Sequence, residues 1–418
     1  MGFRDIFRSK GRKRDHAIAL DIGTEFVKAL IFRVDNDVAH VIGVGRQRQK
    51  LSDMQGGTVT DIGGVIKNCE AALERAAEQA GILPEQVILG IAGELVKGTT
   101  TTIKYTRPDP TSQLTVEELR TIMLEVQQRS FERARTQLAA ESGHEEIDVR
   151  LVNSAIVDVR IDGYKVTNPL GFQGKEIHVG IFNAFAPIVH LGALQTIAAE
   201  LQLEVLSIAA EPYAVARVTG PEESLEFSAI FIDIGGGTSD VAVVNQGGVV
   251  GTKMFALGGR AFTKRLAGEL GVSFSVAEAK KLAYAQGELD AVETKQLAKL
   301  LESDAEVWLQ GIELTLEEFD SLDLLPSRIL LCGGGSGLPE ITKLLNEADW
   351  HKALPFARTP RVQVMKPADV STVVDDTNTL DSAQDITPMA LANLAIDLVG
   401  TETPGHQLLN RILNSLKQ

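Results

Sequence analysis

Cysteine is almost missing from this sequence: Cys69 and Cys332 are the only two among 418 residues. Two cannot build a disulfide framework, and such sparing use points to a reducing compartment. Long apolar runs are also missing. None nears the ~20 residues that cross a bilayer. The basic start leads into the short run Ala17–Leu20, not the apolar stretch of about 7–15 residues of a secretory signal. Ile6 stands where a myristoylation signal takes Ser or Thr. The expectation is a cytoplasmic chain, peripheral on the inner face of the cell membrane. Positive charge is in deficit as well, with 41 Lys+Arg against 56 Asp+Glu and a formal net charge of −15. An acidic chain lacks the basic face that sequence-unspecific nucleic-acid binding needs, so nucleic acid is not an expected partner.

What is present is ordinary globular material: 44% hydrophobic and 23% charged residues, with length for two or three domains. Charge is uneven. Arg4, Arg8, Lys10, Arg12, Lys13 and Arg14 face only Asp5 within residues 1–14, a net +5, which leaves −20 on the rest. The texture of 15–96 is α/β: strands at His16–Ile22, Glu25–Phe32 and Val38–Gly43, a helix over Asp61–Gly81 capped by Asp61, and a strand at Gln86–Ala92. A different block follows, with a Thr-rich stretch, a charged helix over Thr115–Leu138 and alternation over Ile147–Ile161 that reads as a strand pair. Regular texture returns with a strand at Glu176–Ala184, a helix over Pro187–Leu201 and a strand at Leu203–Ile208. It cycles again from Ser228 through helices over 260–270, 275–286 and 292–320 and a strand at Ser327–Cys332. Thr387 reads as the N-cap of a last helix, with Pro388 at its first position.

Three glycine-rich turns carry the chemistry. Asp21-Ile22-Gly23-Thr24 ends the first strand. Asp233-Ile234-Gly235-Gly236-Gly237-Thr238 ends its counterpart 212 residues later, and Gly333-Gly334-Gly335-Ser336-Gly337 ends a third buried strand. Glycine lets the backbone approach a polyanion, so that N–H groups point at phosphate oxygens, while Thr and Ser add hydroxyl donors. Asp233 stands where it could hold Mg²⁺ through water, since that ion keeps much of its hydration shell. All three turns lie at the C-terminal ends of buried strands, where open α/β sheets bind ligands. None fits the dinucleotide or P-loop fingerprint.

These paired Asp-Ile-Gly turns and the later Gly-Gly-Gly-Ser-Gly resemble the actin-like ATPase superfamily over about residues 15–400. The resemblance implies an α/β fold of duplicated actin-like (ribonuclease-H-like) domains around a nucleotide cleft, with a small α+β inserted subdomain. It implies ATP and Mg²⁺ as cofactors. Asp21, Gly23 and Thr24 would form the first phosphate turn, and Asp233, Gly235, Gly236, Gly237 and Thr238 the second. Gly333, Gly334, Gly335, Ser336 and Gly337 would border the adenosine. Glu211, in Glu211-Pro212, would orient attacking water, with Asp21 and Asp233 ordering metal and water. Gly258-Gly259 resembles the glycine pair beyond the second phosphate hairpin. Glu278 and Lys281 resemble the pair that contacts ribose and base, with a solvated charge pair as the bland alternative. Lys28 resembles the phosphate-reaching Lys of actin and of the pilus-assembly relative PilM, or else is a strand-edge Lys facing water.

Within that superfamily, Gly90-Ile91-Ala92-Gly93 and Asn168-Pro169-Leu170-Gly171-Phe172-Gln173-Gly174 resemble the FtsA family of bacterial cell-division proteins. Charge sets off a basic tail at 1–14, and the resemblance places the domains after it. It divides the rest into a first domain of 15–96 and 176–222 completed by a helix at 387–400, an insert at 97–175, a second domain of 223–260 and 325–386, a helical subdomain at 261–324, and a tail at 401–418. Glu25 departs from the family, which carries Thr there. Alternation on a strand puts 24 and 25 on opposite faces, so Glu25 is expected to face out. In the tail, Leu408, Leu409, Ile412, Leu413 and Leu416 form one helical stripe flanked by Arg411 and Lys417. It reads as an interfacial membrane helix, or as a last helix packed on the body. The basic head is a rival anchor for an anionic membrane surface. The implied function is an ATP-binding protein that attaches to the membrane, self-associates and recruits an FtsZ-like tubulin homologue and other division proteins, with slow ATPase activity left open. The alternatives are a PilM-like adaptor of type IV pilus assembly and a small-molecule kinase.

Overall fold

The computed structural model describes residues 15–93, 95–142, 148–166, 168–218 and 227–399. The basic head at 1–14 and the leucine stripe at 408–416 lie outside these residues. His16–Ile22 forms strand β1, and all seven of its residues are buried. Such an unbroken run belongs inside a sheet covered on both faces. β2 (Phe26–Asp35) and β3 (Val38–Arg48) continue it as an antiparallel meander. The turn between them uses Asn36 and Asp37 at φ of 49° and 59°, the positive values that a tight hairpin turn needs. β3 runs on past Gly43. Its glycines give room to helix α1 (Ile62–Ala80): a Cβ on Gly45 would lie 1.8 Å from the Ala72 carbonyl oxygen. The small hairpin of β4 (Met54–Gln55) and β5 (Thr58–Val59) precedes α1. Asp61 caps that helix by accepting from the Gly64 N–H, and Gly81 ends it at φ 70°. β6 (Gln86–Ile91) returns parallel to β1.

The insert contains β7 (Lys97–Thr106), α2 (Val116–Ser142), β8 (Val149–Ile161) and β9 (Tyr164–Lys165). β10 (Glu176–Pro187), read from sequence as part of the first α/β half, pairs instead with β7 on one side and β8 on the other. β8 is one continuous strand, where alternation suggested a pair. Its ladder with β10 shifts register between Gly180 and Ile181 and between Ala184 and Phe185, and such bulges change which face a residue presents. Leu119, Ile122, Met123 and Val126 of α2 cluster with Ile177, Val179 and Ile181. Arg107 locks the polar loop, its guanidinium bonding Glu118 at 2.8 and 2.9 Å and donating to the Ser112 carbonyl at 2.8 Å. The Asn168 side chain accepts from the Leu170 N–H, and Gly171 turns at φ 80°.

α3 (Ile188–Glu200), β11 (Glu204–Ala210) and the short α4 (Glu211–Ala216) complete the first pass. The second repeats its logic. β12 (Ala229–Ile234), β13 (Ser239–Asn245) and β14 (Gly248–Phe255) form a meander. α5 (Gly259–Leu270), α6 (Phe274–Ala285) and α7 (Ala291–Glu317) follow. β15 (Arg328–Cys332), α8 (Pro339–Glu347) and β16 (Arg361–Val364) add parallel strands. β17 (Val373–Asp375) joins the first sheet beside β3. α9 (Ile386–Val399) packs on β1. It starts one residue before the expected N-cap Thr387, because a 3₁₀ turn over Ala383–Asp385 leads into it.

The first sheet runs β11-β6-β1-β2-β3-β17. The second runs β16-β15-β12-β13-β14 and continues through β7-β10-β8-β9. Each therefore holds a three-strand meander with two parallel strands beyond its first strand, the duplicated actin-like plan, and the insert hangs on the far edge of the second sheet. That join is short: only Gly251 with Thr99 and Thr252 with Gly98. The larger core runs from the first sheet onto one face of the second, through Phe231, Ala242 and Leu330, and a second core packs on the other face against Ile230, Ile232 and Val241. In the second, Trp308 is fully buried and its indole N–H donates to the Ser239 hydroxyl at 2.8 Å.

Candidate functional site

The duplicated hairpins bring four charged residues to one place. Asp21 on β1 is the register partner of Lys28 on β2, and Asp233 on β12 is the partner of Asp240 on β13. Directly opposed residues of an antiparallel pair share a face. The Lys28 ammonium lies 3.1 Å from Asp21 Oδ2 and donates to the Gln384 carbonyl at 2.7 Å. Asp233 accepts from the Thr387 hydroxyl, so the residue read as a helix cap serves the site instead. Asp240 Oδ2 accepts from the Thr238 hydroxyl at 3.1 Å, while its Oδ1 is buried with no partner. Glu211 enters as the first residue of α4 and is buried. Gly90 makes room for it, since a Cβ there would lie 2.4 Å from Glu211 Oε1.

Crowding of carboxylates away from water sets their protonation. Burial pushes Glu211 well above the usual carboxylate range, and the charges of Asp21, Asp240 and Asp233 push the same way against Lys28. Burial and then Asp233 hold Asp240 well above it too. Asp233 is raised by burial, with the Thr387 hydrogen bond and Lys28 opposing. For Lys28 burial alone would lower the value, but Asp21 and Asp233 outweigh it and the ammonium is held more firmly than usual. The site is thus a cation inside an acid cluster, with one buried oxygen left unsatisfied.

The two turns around this cluster close alike. Gly23 N–H donates to the Phe26 carbonyl at 3.1 Å, and Gly235 N–H to the Thr238 carbonyl at 2.9 Å. They also meet across the cleft: a Cβ on Gly237 would lie 2.9 Å from the Thr24 hydroxyl, and one on Gly236 2.9 Å from the Glu25 Cβ. Gly258 fits where a Cβ would lie 2.6 Å from the Gly235 carbonyl, and the N–H groups of Gly259 and Arg260 donate to the Gly235 and Gly236 carbonyls at 2.8 Å. The start of α5 is thereby stitched to the second turn. Gly333 turns at φ 79° hard against Asp233.

Asp21, Gly23, Thr24, Lys28, Glu211, Asp233, Gly235, Gly236, Thr238, Gly259, Glu278, Lys281 and Gly333–Gly335 all line one cleft. Gly237, Gly258, Ser336 and Gly337 are off its wall, and the Ser336 hydroxyl closes its own turn onto the Gly333 carbonyl at 2.7 Å. The polar heads of Glu278 and Lys281 bond to each other at 2.8 Å, both reach Thr263, and Lys281 also donates to the Gly259 carbonyl. Neither is a solvated helix-face charge. Glu25 overturns the expectation that it faces out. It sits in the turn before β2, where strand alternation does not apply, and its carboxylate lines the cleft between Arg48 and Arg260.

Sequence reasoning passed over Asp240, Arg260 and Thr387 as site residues. The first had a signal: it follows Asp233 by seven residues, as Lys28 follows Asp21. Among the described residues no three His, Cys, Asp or Glu side chains form a ready-made metal centre. The fold family implies Mg²⁺, an ion held by one or two carboxylates with water and substrate phosphate. The unpartnered Asp240 oxygen and the glycine-lined walls suit the same group.

Residues 230–383 match the family model described as cell division protein FtsA. The cell division protein FtsA of Streptococcus pneumoniae serotype 2 (strain D39) is 26% identical over 347 residues, covering 78% of this chain and 72% of that protein. FtsA of Bacillus subtilis (strain 168) is 22% identical over 353 residues, covering 79% and 76%. Among solved structures, a PilM–PilN type IV pilus biogenesis complex superposes with a TM-score of 0.64 at 16% identity, covering 92% of this chain and 99% of that one. The ethanolamine utilization protein EutJ from Carboxydothermus hydrogenoformans gives 0.50 at 16% identity, covering 93% of each. At such identities the structures speak for the fold alone. This chain has the actin-like ATPase fold and is FtsA-like in sequence, similar to bacterial cell-division proteins of that type.

Proposed function

We propose that this protein is an ATP-binding cell-division protein that attaches to the cytoplasmic face of the membrane, self-associates and recruits an FtsZ-type tubulin homologue. The observation that carries the reading is similarity to FtsA over most of the chain, joined to a cleft whose opposed glycine turns surround a buried lysine and carboxylates. In this reading the turns at Gly23–Thr24 and Gly235–Thr238 hold phosphates, aided by Lys28, and the turn from Gly333 borders the adenosine. Asp21 and Asp233 hold Mg²⁺ through water. Mg²⁺ supplies charge neutralisation on the phosphates. Glu211, buried and protonated more readily than an ordinary carboxylate, orients water by hydrogen bonding, and its raised pKa makes any hydrolysis slow at low pH. The leucine stripe at 408–416 and the basic head at 1–14 are the candidate membrane contacts. Among the described residues no helix is long and apolar enough to cross a bilayer.

The test is co-sedimentation of the full chain with anionic vesicles and Mg-ATP, with and without a purified FtsZ-type protein. Vesicle binding that falls on deleting 1–14 or 405–418, and tubulin homologue in the pellet only when this chain is present, are expected. Binding untouched by both deletions removes the membrane reading, and no recruitment removes the partner. Lys28 at its offset favours a second reading, a PilM-like adaptor. Capture of cytoplasmic segments of pilus inner-membrane proteins, in place of the tubulin homologue, would select it.

A further inference from the structure

A charge pair bridges the two lobes at the wall of the cleft. Arg260, in the first turn of α5 on the second lobe, is only 9% exposed. Its Nε donates to Glu25 Oε2 at 2.7 Å, its Nη2 to the Thr24 carbonyl at 2.6 Å and its Nη1 to the Met54 carbonyl at 3.1 Å. All three acceptors belong to the first lobe. Two are on the first glycine turn itself. Glu25 is anchored from its own lobe by Arg48 at 2.7 Å, so Arg260 grips a carboxylate that is already oriented. Charge-assisted hydrogen bonds of this kind are about twice as strong as neutral ones.

From this geometry we infer that the Glu25–Arg260 pair is an interlobe latch, and that it lowers the affinity of the cleft for a polyphosphate. The inference rests on the proposed nucleotide reading for its ligand, not for the latch. Thr24 and Glu25 touch Gly237 and Gly236 so closely that a single Cβ fails to fit between them. The latch therefore fixes how far apart the two turns stand beside the cleft. The Glu25 carboxylate, which lines that cleft, is an anion held on the wall of an anion site. Glu25 and Arg260 thus set the affinity for nucleotide without touching it in the closed state. They are positioning residues, and their effect runs opposite to that of a phosphate ligand: removing the pair strengthens binding.

The experiment uses the full-length protein, its Glu25→Gln variant and, as a second break from the other side, Arg260→Gln. Gln at 25 keeps a hydrogen-bond acceptor for Arg260 and removes the charge, so the fold is preserved. Paired spin labels at exposed Lys67 on α1 and Ser275 on α6 report the interlobe distance without ligand. Titration with Mg-ATP reports affinity. The latch predicts a longer or broader distance distribution in both variants and binding tighter by about tenfold in Glu25→Gln, the gain from removing one buried charge contact. Unchanged distances together with unchanged or weaker binding overturn it. If the distances open but no form binds Mg-ATP, the latch stands and the nucleotide reading fails. If all forms bind alike at one closed distance, the nucleotide reading stands and the latch fails.

Discussion

Replacing Gly333 by Ala tests the architecture of the cleft at its tightest point. Gly333 sits at φ 79°, and an added Cβ would lie 2.1 Å from Asp233 Oδ1 and 2.5 Å from the Ile234 carbonyl. Two costs add. A side chain in the left-handed region costs about 1–2 kcal/mol. Forcing a methyl into a filled site costs about 1–3 kcal/mol more. The sum is a loss of about 2–5 kcal/mol, with Asp233 displaced from Thr387 as a consequence. The next residue is the control, because a Cβ on Gly334 meets nothing within 4 Å and its φ is ordinary. Gly334→Ala should be neutral, or stabilising by about 0.4–1 kcal/mol through the unfolded chain. Urea unfolding followed by tryptophan fluorescence compares the two variants in one assay. If their stabilities agree within about 0.5 kcal/mol, the close approach of this turn to Asp233 is wrong.

The Glu211 carboxyl has a folded-state pKa above its ordinary 4.5. Its contribution is therefore fully present below that value and is lost as pH rises through the folded pKa. Glu211→Gln should gain stability relative to the wild type as pH rises from about 5 to about 8, and a pH-independent difference in paired melting curves would count against the buried, charge-crowded site. Trp308→Ala empties a fully buried indole site and should cost about 3–5 kcal/mol in urea unfolding. A cost under about 1 kcal/mol would mean that the second core is packed differently. Arg107→Ala breaks its hydrogen-bonded pair with the half-buried Glu118 and should cost about 1–3 kcal/mol. Hydrogen exchange should quicken over 107–118 and 169–174 and stay unchanged in β1 and β12; a global increase would refute a local role.

Much of this was legible because its causes are local. The apolar runs Ala17–Leu20, Ala229–Ile232 and Ile329–Cys332, each leading into a glycine turn, announce buried strands that stop at a site. The repeat of Asp-Ile-Gly announces the duplicated fold. What was illegible depends on partners far along the chain. Nothing near Glu176 says that it will pair with Thr106 rather than join β11. The alternation of Val149–Ile161 is broken by bulges that exist only against β10. Glu25 was misread because strand alternation was applied one residue before the strand begins. Its partner Arg260 is 235 residues away, and no local pattern encodes that distance. Thr387 looked like a helix cap because Thr-Pro so often is one. The preceding 3₁₀ turn took over the start of the helix and left the hydroxyl for Asp233.

The central claim is that the cleft between the glycine turns holds a nucleotide. Its most direct measurement is a calorimetric titration of Mg-ATP into the full-length wild type, Glu25→Gln and Gly333→Ala. The account predicts one saturable site in the wild type, tighter binding in Glu25→Gln and weaker binding in Gly333→Ala. No binding heat in either the wild type or Glu25→Gln, with both folded, would contradict it.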